Sequence, residues 1–380
     1  MVRRVLLLLL VPFVAIQAGC QGAADPNHSP AQLAAALAGA PAPIAAPSSA
    51  TTAAAPATSK FLFTANYGSN DVSAYTIGTG GALAPIGAAV AAGTNPSAVV
   101  VSPDNSYVLV ANAGSNDISS FTLDSTGTLT STGATTPVAG SGTTPYSIAI
   151  DPSGTFAYTA NYGSGSVSMF SIAAGGVLTG LTSYPAGGGP AFVTTDPSGL
   201  YVYVVNMTDS TVSSFSVSAT AQTLTPLGSA VPTGSTPTEI AFTPGGTLAF
   251  VCNSGSNDIS GFSVAFGQLT SLGPTVTTGT APNALVVNPA GSILYVANYG
   301  VNQVSTFTIG ATGTLATEGT PASTGNGPFD IAMDTSGAYL FTSNSVGNSV
   351  TELATGGATL AAVGADTAAG TTPNSLATSH

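Results

Sequence analysis

The sequence predicts an all-β fold: a seven-bladed β-propeller of four-stranded antiparallel blades, closed by pairing of its first and last strands. Three observations predict it. One pattern recurs seven times with a period of about 46 residues. Each period holds four short β-like runs divided by Gly- and Pro-rich turns. The chain also joins the pattern at the second strand of a repeat and leaves it after the first strand of another.

The elements follow in order. Residues 1–19, "MVRRVLLLLLVPFVAIQAG", have a basic start, an apolar stretch and a small-residue end, and read as a secretory signal peptide. The apolar run is broken by Pro12 and is short for a membrane span. Residues 20–60, rich in Ala, Pro, Ser and Thr, cannot bury a core and read as a flexible tether. "AQLAAALAGA" within it could form a helical turn or two.

The propeller is predicted over residues 61–380. An asparagine ends an apolar run at Asn66, Asn112, Asn161, Asn206, Asn253, Asn298 and Asn344. Nine residues later stands Tyr75, Phe121, Phe170, Phe215, Phe262, Phe307 or Leu353, the side chain expected to fill the gap between blades. Sixteen residues before six of the asparagines stands a proline, from Pro96 to Pro328, and Pro373 is the seventh. One blade reads as a first strand after the proline, a "DPSGT"-type turn, a second strand such as "FAYTAN", a third such as "VSMFSI", and a weaker fourth. "KFLFTAN" at the start and "PNSLATSH" at the end together complete one blade. A ring closed this way has no free sheet edge, whereas a solenoid would leave two. The asparagine amides are expected to bond nearby backbone and fix the turn after the second strand.

Composition excludes several functions. Charged residues are 5% of the chain, against 44% apolar, and the formal charge is −12. Arg3, Arg4 and Lys60 are the only basic residues. Nucleic-acid binding needs several Lys or Arg contacts, so no nucleic-acid partner is expected. Phosphorylated metabolites are disfavoured for the same reason. His28 and His380 lie in the tether and at the terminus, which leaves no Ser-His-Asp triad in the body. No Cys/His metal cluster, nucleotide-binding motif or cofactor site is expected. Cys252, in "LAFVCN", reads as a small buried residue. The aspartates of "SNDIS", at 115–119 and 256–260, lack the alternation of a calcium loop and read as Asx turns.

"YVANYGVNQVSTFTI" (295–309) and "YVYVVNMTDSTVSSFSV" (201–217) resemble the YVTN-type repeat and the seven-bladed lactonase family, over residues 61–380. The resemblance implies a propeller, and relatives that open 6-phosphogluconolactone or interconvert lactones. Such relatives tend to carry Arg-His after the inner-strand proline and Glu near the asparagine loop. Here those positions hold neither Arg nor His, and the residue after each asparagine is never Glu. Separately, Ala18-Gly19-Cys20 resembles the bacterial lipoprotein box, with Gln17 where Leu is usual. That implies lipidation of Cys20, and Gln21 implies sorting to the outer membrane; ordinary cleavage near Ala18 and secretion is the alternative.

The proline end of each first strand and the asparagine loop should share one face of the disc. Two carboxylates fall there, Glu239 and Asp330, each two residues after a proline. They could perform acid/base catalysis, hold a cation through oxygen, or stand solvated at the rim of a wet channel. Tyr146, Phe192 and Phe329 lie beside them, with Tyr67, Tyr162 and Tyr299 in the loops. These aromatics could stack on a sugar or apolar ligand, or pack between blades. Two functions are open: an exported, lipid-anchored monomer that binds a protein, carbohydrate or small molecule, or an extracytoplasmic lactonase or cycloisomerase-type hydrolase acting on an uncharged lactone or sugar derivative.

Overall fold

The computed structural model describes residues 61–356 and 359–380. The signal peptide, the tether, Cys20 and His28 lie outside the described residues.

The second strand of each repeat is the most buried: Phe61–Asn66, Tyr107–Asn112, Phe156–Asn161, Tyr201–Asn206, Leu248–Asn253, Ile293–Asn298 and Tyr339–Asn344. Each has a paired strand on both edges and a neighbouring blade against its faces, which is why these runs are nearly continuous in apolar residues. The inner partner begins at the repeat's proline: Pro96–Val101, Pro145–Ile150, Pro190–Thr195, Pro237–Phe242, Pro282–Val287, Pro328–Met333 and Pro373–Thr378. Together with the third and outer strands these make seven antiparallel sheets.

The ring closes as the sequence predicts. Pro373–Thr378 pairs with Phe61–Asn66, placing Ala377 opposite Phe63 and Ser375 opposite Ala65. The Ser379 amide donates to the Phe61 carbonyl at 2.9 Å, and the Phe61 amide to Ser379 Oγ at 3.1 Å. His380 exchanges two hydrogen bonds with the side chain of Asn105 in the next blade, at 2.8 and 2.9 Å.

The outer strand departs from a uniform four-strand blade. It is continuous over nine residues in three blades, such as Val177–Pro185. In the other four it splits into two short segments on the same third strand, such as Leu83–Pro85 and Val90–Ala91. Gly87, Gly228 and Gly273 stand in three of these breaks with positive φ, a conformation that ends regular pairing.

The core lies between blades. Phe63, Ala65 and Val72 of the first blade pack with Val99, Val108, Val110 and Phe121 of the second. All seven third-strand residues from Tyr75 to Leu353 are buried to 1% exposure or less. Gly81 marks another blade contact: its φ is 84°, and a Cβ there would overlap the Tyr339 ring of the last blade.

The conserved-offset asparagines are all fully buried. In six of them the amide Nδ2 donates to side chains, whereas Asn298 Nδ2 reaches the Val296 and Gln303 carbonyls as well as Ser305 Oγ. Asn112 Nδ2 donates to Asp117 Oδ1 at 2.8 Å and Ser119 Oγ at 2.9 Å; Asn253 does the same to Asp258 and Ser260 at 2.7 and 2.9 Å. The "SNDIS" aspartates therefore serve as acceptors for this amide, in place of the expected Asx turns. A second asparagine, four residues on, ties blade to blade. Asn70, Asn116, Asn257, Asn302 and Asn348 each accept, through Oδ1, the amide of the residue before the next proline, at 2.6–2.8 Å. Both partners have positive φ, so this bond holds a backbone conformation that side chains disfavour.

Candidate functional site

Every inner strand carries a β-bulge at the residue after its proline. Pro96 pairs with Asn112 and Ala98 with Ala111, leaving Ser97 extra, and the same shift occurs in the other six blades. Proline has no N–H to give to the ladder, which suits it to such a break. In a regular strand these two successive residues would face opposite sides. The bulge instead turns both toward the channel.

The result is a cavity of about 310 Å³ at the mouth of the central channel. The aromatic walls are Tyr146, Phe192 and Phe329, joined by Met207. Glu239 and Asp330 line the same cavity, so these five sequence-singled residues meet. Tyr67, Tyr162 and Tyr299 do not line it. Tyr162 stands against Tyr146 with ring centroids 5.8 Å apart, and Tyr299 meets Phe329 edge-on at 6.3 Å. Tyr162 and Tyr299 thus buttress Tyr146 and Phe329. Sequence reasoning passed over the neutral polar lining, notably Ser97, Asn283 and Asn374. Their signal was the same offset from proline.

The polar residues also stitch neighbouring inner strands. Asp330 Oδ2 accepts the Leu376 amide at 2.9 Å, and Oδ1 accepts the Ile331 amide at 2.7 Å. Ser147 Oγ accepts the Val193 amide at 3.2 Å, and Ser375 Oγ the Val99 amide at 3.3 Å. The Leu285 amide lies beside the Glu239 carboxyl and favours its charged form. Asn283 Nδ2 donates to the Phe329 carbonyl at 2.6 Å.

Both acids titrate high. Burial pushes Asp330 up to about 6, against the pull of the Leu376 and Ile331 amides and the Ser375 hydroxyl. Burial raises Glu239 well above the ordinary carboxylate range, and the Asp330 charge raises it further. Glu239 is half-buried and lines the lumen. Residues 61–380 contain neither Lys nor Arg, so no such cation offsets either acid there. Cys252, behind Glu239, is buried; burial and Glu239 push its thiol up to about 12, which makes it inert. Among the described residues no group of three or more His, Cys, Asp or Glu is arranged to hold a metal.

A family model for "Lactonase, 7-bladed beta-propeller" matches residues 32–143 and 138–372. The chain belongs to this lactonase family of seven-bladed β-propellers. Solved structures share the lactonase-family fold. One is a candidate 6-phosphogluconolactonase of Bacteroides uniformis, at 22% identity and TM-score 0.76, covering 84% of this chain and 98% of that one. Another is the periplasmic gluconolactonase of Pseudomonas aeruginosa, at 21% identity and TM-score 0.72, covering 84% and 99%. Hydrazine synthase of Kuenenia stuttgartiensis also matches, at 19% identity and TM-score 0.63, covering 78% and 93%. No curated protein matches the chain. The same fold thus carries proteins of differing names, and the site must decide function.

Proposed function

We propose that this propeller binds a small, uncharged ring compound of the sugar or lactone type in the channel mouth. The observation that carries the reading is the makeup of one cavity: three aromatic walls, neutral polar groups and two high-titrating acids, in a domain without Lys or Arg. Aromatic faces stack on ring C–H groups, while Asn and Ser meet hydroxyls. A phosphate has nothing to neutralise it. The same reading places the protein outside the cytoplasm, exported by residues 1–19 and anchored to the outer membrane through a lipid on Cys20.

Hydrolysis of an uncharged lactone at this site is the second reading. Family membership and the raised titration of two acids in one cavity favour it. Against it, both Asp330 oxygens already accept amides that bind its neighbours together.

Calorimetry with neutral aldonolactones and anhydro sugars tests binding. Phe329→Ala should weaken affinity about tenfold or more, as loss of a stacking face does. Wild-type protein that binds no member of the panel would overturn the reading. Lactone turnover lost in Asp330→Asn, with binding retained, would establish the second reading.

A further inference from the structure

Below the mouth lies a second cavity of about 490 Å³, lined by Thr194, Asp196, Ile240, Val286 and Ile331. Phe192 and Glu239 line both cavities. They form the waist of the channel and the floor of the upper site.

Resting on the binding reading above, we propose that Glu239 serves this site as a neutral carboxylic acid, donating a hydrogen bond from the floor to the carbonyl oxygen of an uncharged lactone. The geometry carries the assignment. The Leu285 amide of the next blade approaches the carboxyl. Glu239 lines both cavities, which puts its carboxyl within reach of a ligand in the lumen. The groups facing it cannot neutralise a carboxylate. The adjacent inner strands, Pro190–Thr195 and Pro282–Val287, contain no titratable residue, and the paired strand Leu248–Asn253 contributes only the Cys252 thiol. Asp330 acts on it across the channel and Asp196 lines the same lower cavity, and both are acids. A protonated acid in an apolar waist is a strong donor, and it selects a strong acceptor. A lactone carbonyl qualifies better than an ether or hydroxyl oxygen. Ionisation would remove the donor and repel the carbonyl dipole.

Calorimetry of a stable 1,4-aldonolactone and its 1,4-anhydro analogue, which lacks the carbonyl, tests this on the whole propeller. Wild type should prefer the lactone by about tenfold, the value of one net hydrogen bond. Glu239→Gln, which keeps one acceptor for Leu285 and one donor for the ligand, should bind the lactone like wild type. Glu239→Leu should lose the preference and keep the anhydro sugar. The pH profile separates the variants even if the leucine protein fails to fold. Wild type should lose lactone affinity as pH rises through the Glu239 titration, whereas Glu239→Gln should stay flat. Equal affinity of wild type for both ligands, or parallel pH profiles of wild type and Glu239→Gln, would overturn the inference. Failure of wild type to bind either compound would instead overturn the binding reading, and the inference with it.

Discussion

Asp330 Oδ2 accepts the backbone amide of Leu376 at 2.9 Å, so a carboxylate in the wall of the channel mouth also fastens the strand that closes the ring. The candidate site and the closure of the propeller share one side chain.

Asp330→Asn should cost about 1–3 kcal/mol, because an amide cannot accept from both Leu376 and Ile331 and leaves one N–H unpaired. Chemical denaturation at constant pH measures it. The pH dependence has a definite sign. The folded titration, about 6, lies above the ordinary 3.8, so the native state holds the Asp330 proton more tightly than the unfolded chain. Its contribution is fully present below about pH 4, fades as pH rises through about 6, and then levels. The stability of wild type relative to Asp330→Asn should therefore fall between these limits. A difference that is constant with pH would contradict the burial of this group.

Removing residues 373–380 should abolish the cooperative fold rather than trim it. The deletion exposes the Phe61–Asn66 edge, and it takes away the Leu376 amide, Ser379 and the His380–Asn105 pair. Near-wild-type thermal unfolding of the truncated protein would show that closure contributes little.

The second asparagine should matter as much as the first. Asn257 Oδ1 receives the Ala281 amide at 2.7 Å, with φ of 59° and 50° at the two residues. Asn257→Ala loses the acceptor and worsens a left-handed position, and should cost about 1–3 kcal/mol. Asn257→Gly, free of the backbone cost, should lose less. Equal destabilisation of the two variants would remove strain from the explanation.

Phe262 fills the space between blades at 1% exposure, and Phe262→Ala should cost about 3–5 kcal/mol. Phe266, in the following turn, is 89% exposed with a φ of 51°, so Phe266→Gly should leave stability unchanged or raise it. Denaturant midpoints of the pair check both expectations.

The sequence by itself determined the number of blades, the strand that closes the ring and the residues between blades. Each of these rests on local offsets: proline to asparagine, asparagine to aromatic. Such offsets repeat because every blade solves the same packing problem. The identity of the asparagine's partners was less legible. The amide of Asn112 could equally have met backbone, and only strand register placed Asp117 and Ser119 within its reach. The site was legible in part. Glu239, Asp330, Tyr146, Phe192 and Phe329 stand out by type and position, but strand alternation alone would send Phe329 and Asp330 to opposite faces. The bulge after each proline decided that both face the channel. The high titration of the two acids belongs to tertiary structure alone. It arises when strands distant in the chain meet around one axis, exclude water and bring Asp330 within electrostatic reach of Glu239.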